Sequence, residues 1–447
     1  MSTLPYAASR PRLTPAPVFI CRESGEAAFA NDEEEDEDEE DNMILETDSL
    51  IVVARTEDDD SHLEIQLLTA AGDLYVHHDI TLPELPLCLA WLDIPPFQAG
   101  TGGQLAIGNY IAVGTFDPAI EIWNLDVLDP LEPSATLGGV NKRSAPGKTG
   151  KGKKRDSRPK LVDGSHTDAV LGLSWNRSYR QALASCSADK TVKVWDVTTQ
   201  ACSHTFSYHS DKVQSVQWHP AEAYLLASGS FDKTVCLVDC RSASAEPMRY
   251  SLESDVEAMQ WDPFSAYHLY CALEDGEVVC IDRRKEGAPL YVFKAHEETT
   301  TSLSFSCGVP GMMATSSLDQ AVRVWDVLDT TEPKLVAYKS MNVGRLFTLQ
   351  YYSDDSFALA AAGEQGVVAV WESDEQEILL NHFSSRARPI KSLYSFNTEK
   401  VSEGDSGIPA MQEDEDDSWM NDDAPVDDKK DKKERSAKKK DKKKASK

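Results

Sequence analysis

Basic residues are in short supply in this 447-residue chain, where 45 lysines and arginines face 75 aspartates and glutamates, for a formal charge of −30. That deficit argues against simple binding along a nucleic-acid duplex, which draws on net positive charge. Paired cysteines are missing as well. Nine cysteines are scattered without one CxxC; the nearest pair, Cys236 and Cys240, begins inside a predicted strand and has no second pair to complete a metal site. Buried, reduced thiols are the expectation. No apolar run approaches the ~18 residues needed to cross a bilayer. The N-terminus holds prolines and arginines but no continuous apolar core of the signal-peptide kind. An intracellular, reducing setting is therefore expected.

What the chain has instead is repetition. The stretch Leu183 to Asp196, LASCSADKTVKVWD, reads as a strand, a tight turn around Asp189 and a second alternating strand closing on Trp195-Asp196. It returns as LASGSFDKTVCLVD (Leu226 to Asp239), MATSSLDQAVRVWD (Met313 to Asp326) and IAVGTFDPAIEIWN (Ile111 to Asn124). Weaker copies are YCALEDGEVVCID (Tyr270 to Asp282) and LAAAGEQGVVAVWE (Leu359 to Glu372). Three strand-like runs between Leu50 and Ile80 add another unit, with Gln66 near the position Trp123 holds in the next. The landmarks Trp195, Val238, Ile281, Trp325 and Trp371 are spaced by 43, 43, 44 and 46 residues. That is the length of a four-stranded propeller blade. The 72 residues from Trp123 to Trp195 hold one blade plus an insertion. The count is seven. A small sheet apolar on both faces cannot bury itself, so the blades are expected to stack radially, with the tryptophans filling the space between neighbours.

The Trp-Asp ends at Trp195-Asp196 and Trp325-Asp326, with His166, His209 and His296 opening their units, resemble the WD-repeat signature. More narrowly, IAVGTFDPAIEIWNLDV (Ile111 to Val127), DLYVHHDITLPELPLCLAWLD (Asp73 to Asp93), SHTDAVLGLSWN (Ser165 to Asn176) and PGMMATSS (Pro310 to Ser317) are similar to the periodic tryptophan protein 1 family. The resemblance covers roughly residues 44 to 395. It implies an all-β, seven-bladed propeller. It also implies a hydrogen-bonded network of His, strand Ser, turn Asp and Trp within a blade, here His166, Ser185, Asp189 and Trp195. Met1 to Ala30 departs from the family's pattern of a Trp-containing strand and a helical acidic segment. The innermost strand of the first blade is thus left open: PVFICR (Pro17 to Arg22), Pro389 to Phe396, or neither if the sequence is an incomplete version.

Three segments of low complexity flank or interrupt the repeats. Asp32 to Asp41 is unbroken acid. Asn141 to Lys160, NKRSAPGKTGKGKKRDSRPK, carries nine basic residues, namely Lys142, Arg143, Lys148, Lys151, Lys153, Lys154, Arg155, Arg158 and Lys160. Its glycine, proline and serine suit a loop between the second and third blades. The tail beyond Ser402 is acidic through Asp428 and lysine-rich thereafter. The domain reading is 1–43, an N-terminal segment with the acidic run; 44–395, the propeller; and 396–447, a charged tail. Solvated surface is one account of such runs. The other is nuclear import or phosphate contact with RNA, which aromatic-free lysine arms make in a salt-sensitive, sequence-blind way.

Chemistry finds little support. The GKT at Gly147 to Thr149 lacks the phosphate-loop glycine, since Lys142 stands five residues before Gly147. GDSG at Gly404 to Gly407 lies in a polar tail with nothing to hold an oxyanion hole. No catalytic, cofactor, metal or small-molecule site is expected, and the histidine network reads as bracing. Tyr208, Phe231, Tyr267, Tyr291 and Phe347 are aromatic candidates for a binding surface, with core packing the alternative for most of them. The resemblance implies a non-enzymatic scaffold for early large ribosomal subunit assembly in the nucleus and nucleolus. Its expected partners are assembly factors, ribosomal proteins and, through the basic arms, rRNA. The alternative is a chromatin or histone-binding propeller regulating rDNA transcription. A more distant one is a cullin-ligase receptor, whose W-D-x-R has only the tryptophan-less matches ending at Arg241 and Arg284.

Overall fold

A computed structural model describes residues 18–21, 49–57, 60–69, 73–97, 108–140, 160–242, 246–329, 332–353 and 355–388. The repeats become seven antiparallel sheets, each built from consecutive strands. Blade 1 comprises β1 (Val18–Cys21), β2 (Ser49–Glu57), β3 (Asp60–Leu68) and β4 (Leu74–Leu82). Blade 2 has β5 (Pro86–Leu92), β6 (Tyr110–Thr115), β7 (Ala119–Asn124) and β8 (Ala135–Gly138). Blade 3 has β9 (Val170–Trp175), β10 (Ala182–Ser187), β11 (Val192–Asp196) and β12 (Ala201–Phe206). Blade 4 follows with β13 (Val213–Trp218), β14 (Leu225–Ser230), β15 (Thr234–Asp239) and β16 (Met248–Ser251). Blade 5 has β17 (Val256–Trp261), β18 (His268–Leu273), β19 (Glu277–Asp282) and β20 (Tyr291–Lys294). Blade 6 has β21 (Thr300–Phe305), β22 (Met312–Ser317), β23 (Ala321–Asp326) and β24 (Lys334–Ser340). Blade 7 has β25 (Leu346–Tyr351), β26 (Ala358–Gly363) and β27 (Val368–Glu372), followed by the short helix α1 (Glu377–Phe383).

The first strand of each blade lies beside the first strand of its neighbours, and β1 sits between β25 and β5, so the ring is closed. Residues Val18 to Cys21 of PVFICR thus hold the innermost place of blade 1, paired antiparallel with Leu50 to Val53. The propeller accordingly extends upstream of the residue-44 boundary read from the sequence. Pro389 to Phe396 lies outside the described residues, as do the acidic run and the tail.

Period-two alternation places the two faces of each sheet in two different cores. In β11, Val192 and Val194 pack towards blade 4, while Trp195 turns the other way, into the core shared with blade 2. Trp123, Trp325 and Trp371 likewise enter the cores between blades 1 and 2, 5 and 6, and 6 and 7. The tight turns between second and third strands need one residue at positive φ: Lys190 (70°), Lys233 (62°) and Gln320 (68°) occupy it in blades 3, 4 and 6. Blade 5 uses Gly276 (φ 85°), where a Cβ would meet the His296 carbonyl oxygen at 2.3 Å. That close approach, with the backbone angle, requires glycine.

Candidate functional site

The turn aspartates do more than shape the hairpins. Asp189 bonds the N–H of Thr191 at 2.9 Å and that of Thr167 at 3.0 Å. Its carboxylate also lies 2.9 Å from His166 Nδ1, while His166 Nε2 is 2.7 Å from Ser185 Oγ. The Trp195 indole N–H donates to the same Ser185 oxygen at 2.8 Å. The structure therefore brings together His166, Ser185, Asp189 and Trp195 from two strands, the turn between them and the loop before β9. Burial holds the His166 imidazole below its ordinary range, although Asp189 pulls the other way. Burial would raise the Asp189 carboxyl, but the bonds from His166, Thr191 and Thr167 outweigh it and keep it well below the usual range. We assign a neutral imidazole whose Nδ1–H donates to Asp189 and whose Nε2 accepts the Ser185 hydroxyl.

Ser–His–Asp in this order would activate a nucleophile in an open cleft. Here Ser185 and His166 are fully buried (0%), with the indole against the hydroxyl, so no carbonyl can reach the oxygen. The arrangement recurs in blade 6 as His296, Thr315, Asp319 and Trp325, with bonds of 2.8 to 3.0 Å. Blade 4 has His209, Ser228 and Asp232, but Val238 stands at the tryptophan position. There the Tyr208 hydroxyl lies 3.0 Å from Ser228 Oγ and replaces the indole. Tyr208 is thus a brace, not a rim residue. Of the five aromatic candidates, only Tyr267 is exposed, at 41%; Tyr208, Phe231, Tyr291 and Phe347 are half-buried.

Other blades use different polar groups. In blade 1, Gln66 Nε2, Arg55 Nη1 and His62 Nε2 converge on Glu64 at 2.8, 2.9 and 3.2 Å. Burial would raise that carboxyl, yet these bonds keep it low. In blade 2, Val113 occupies the place of Ser185, and the Trp123 indole N–H turns to Glu121 at 3.2 Å. The signature aspartate Asp326 also anchors α1, accepting Arg386 at 2.7 Å and His382 at 2.7 Å. Sequence reading missed that contact, because Asp326 and Arg386 are 60 residues apart and meet only through the fold.

Arg241 and Arg284 each turn back on a neighbouring carboxylate, Asp239 at 2.6 Å and Asp282 at 2.8 Å. Their guanidinium carbons lie 3.6 and 4.1 Å from the centres of the Tyr224 and Tyr267 rings. Of the basic insertion, Lys142, Arg143, Lys148, Lys151, Lys153, Lys154, Arg155 and Arg158 lie outside the described residues. Lys160 is exposed at its end, beside the pairing of Leu161 with Val140 that closes the insertion's base.

Known proteins resemble this chain in sequence. The model of the WD domain, G-beta repeat, matches residues 158–196, 200–239 and 287–326. Those matches end on Asp196, Asp239 and Asp326, each one residue past the Trp or Val landmark of blades 3, 4 and 6, where the histidine brace is found. A WD repeat-containing protein of Schizosaccharomyces pombe is 43% identical over 340 residues, 75% of this chain and 63% of its own. Periodic tryptophan protein 1 of Saccharomyces cerevisiae is 30% identical over 393 residues, 79% of this chain and 68% of its own. The Drosophila melanogaster periodic tryptophan protein 1 homolog is 32% identical over 321 residues, 71% of this chain and 65% of its own. The chain thus spans about two thirds of the length of these relatives.

Proposed function

The chain belongs to the periodic tryptophan protein 1 family, and from that membership we propose that it is a non-enzymatic scaffold in assembly of the large ribosomal subunit. Family membership carries the reading, since the resemblance implies association with early precursors of that subunit. The fold supports it physically. A ring of seven sheets, braced internally by buried polar networks, offers rims and loops to several partners at once without moving. In this reading the propeller holds assembly factors while Lys142 to Lys160 and the lysine-rich tail neutralise rRNA phosphates. The buried His–Ser–Asp clusters brace blades and perform no chemistry. The place of action is the nucleus, and within it the nucleolus.

Sedimentation of a nuclear extract through a sucrose gradient, with and without RNase, tests the proposal. Co-migration with large-subunit precursors, collapsing to light fractions after RNase, is the expected result. A protein that stays light, or that follows chromatin, would refute it, and the latter would favour the histone-binding alternative.

A further inference from the structure

Blade 2 lacks the brace of blade 3, and a groove lies beside its tryptophan. Because Val113 replaces the strand serine, the Trp123 indole is not drawn into an internal brace but bonds the Glu121 carboxylate. Beside that pair runs a depression of about 1190 Å³ between β4 of blade 1 and the β7–β8 hairpin of blade 2. It exceeds the ~300–1,000 Å³ usual for a small-molecule site and follows the length of β7, about 20 Å for six extended residues. Its shape suits an extended chain.

The lining has two characters. Pro83, Pro130, Leu131, Val140 and Val162 supply an apolar surface above the buried Leu82 and Trp123. Leu131 is 96% exposed and Val140 44% exposed, so this part of the apolar lining is open to a partner. Among the described lining residues, Asp79, Asp117, Glu121 and Asp129 supply four carboxylates and no lysine or arginine occurs. An anionic partner would be repelled along the whole groove. A purely apolar one would desolvate the carboxylates without replacing their water.

We infer that this groove docks an extended segment of a partner protein in which lysine or arginine alternates with large apolar residues. Period-two alternation sends the apolar side chains to Leu131 and Val140 and the cations to the rim carboxylates. Complementary charge raises the encounter rate and fixes register, while the apolar contacts hold the segment in place. This inference concerns direct peptide binding and stands apart from the ribosomal reading.

The test is fluorescence anisotropy on the full chain with three labelled twelve-residue probes: alternating lysine and leucine, glutamine and leucine, and lysine and glycine. The lysine–leucine probe is expected to bind best and to weaken with added salt. An Asp79→Asn, Glu121→Gln, Asp129→Asn variant with an unchanged melting temperature should bind it at least about tenfold more weakly. Leu131→Ser should weaken it as well, and Glu286→Gln in blade 5, across the ring, should not. Equal binding of all three probes, or no loss in the variants, would overturn the proposal. So would binding that emerges only after Asn141 to Lys160 is deleted, because the chain's own insertion would then be the occupant.

Discussion

Replacing Trp195 with alanine tests the blade register and the brace together. The side chain is 1% exposed and fills the core between blades 2 and 3. Truncating a buried tryptophan costs about 3–5 kcal/mol, the loss growing with the cavity left behind. The change also removes the donor to Ser185 Oγ, worth about 1 kcal/mol. The hydroxyl retains His166 as a partner at 2.7 Å, so no fully orphaned group is created and the estimate stays at about 3–5 kcal/mol. Trp195→Phe separates the two contributions: it keeps most of the apolar volume, loses the bond, and should cost about 1–2 kcal/mol. Urea unfolding followed by circular dichroism measures both, as a shift in midpoint at constant slope. Amide exchange should show the loss concentrated in β9 to β11. An alanine variant within about 0.5 kcal/mol of the parent would place Trp195 at the surface and refute the packing argument.

Tyr208→Phe should destabilise by about 1 kcal/mol, because the phenol bonded to Ser228 stands in for the indole missing at Val238; an unchanged urea midpoint would show that it does not. The His166, His209 and His296 imidazoles are held low by burial, so their stabilisation is present above the unfolded value of 6.5 and fades as pH falls below it. His166→Gln should therefore flatten the decline in melting temperature between pH 7.5 and about 5.5, and an equally steep decline in the variant would count against the neutral-imidazole assignment. Arg386→Ala should loosen α1 from Asp326 at a cost of about 1.5–3 kcal/mol, the range for bonds to a charged group, and speed amide exchange in Glu377 to Phe383; unaltered exchange would mean that Leu379 and Phe383 hold the helix alone. Deleting Asn141 to Lys160 should leave the melting temperature almost unchanged while weakening precursor association, and a large drop would show that the insertion is packed structure.

Much of the architecture was legible because its signals are local. The alternation in VKVWD, the turn chemistry around Asp189 and a spacing near 43 residues each follow from strand geometry and the size of one blade. They lead to seven sheets that can bury both faces only by stacking in a ring. The His166, Ser185, Asp189 and Trp195 grouping was legible for a different reason: it came with the family resemblance, and its members repeat at matching places in the units.

What the tertiary structure alone decided are the matters that depend on distant parts of the chain meeting. Val18 to Cys21 is a short apolar run until closure of the ring sets it against Leu50 to Val53. Tyr208 reads as a surface aromatic until the absence of an indole at Val238 leaves Ser228 a bond for its hydroxyl. Asp326 looks like one more signature aspartate until the turn after α1 brings Arg386 to it. Glu121 is an unremarkable strand residue until blade 1 walls the groove in front of it. Local sequence encodes propensity and period within a blade. Contacts between blades are set by ring closure, which no single repeat records.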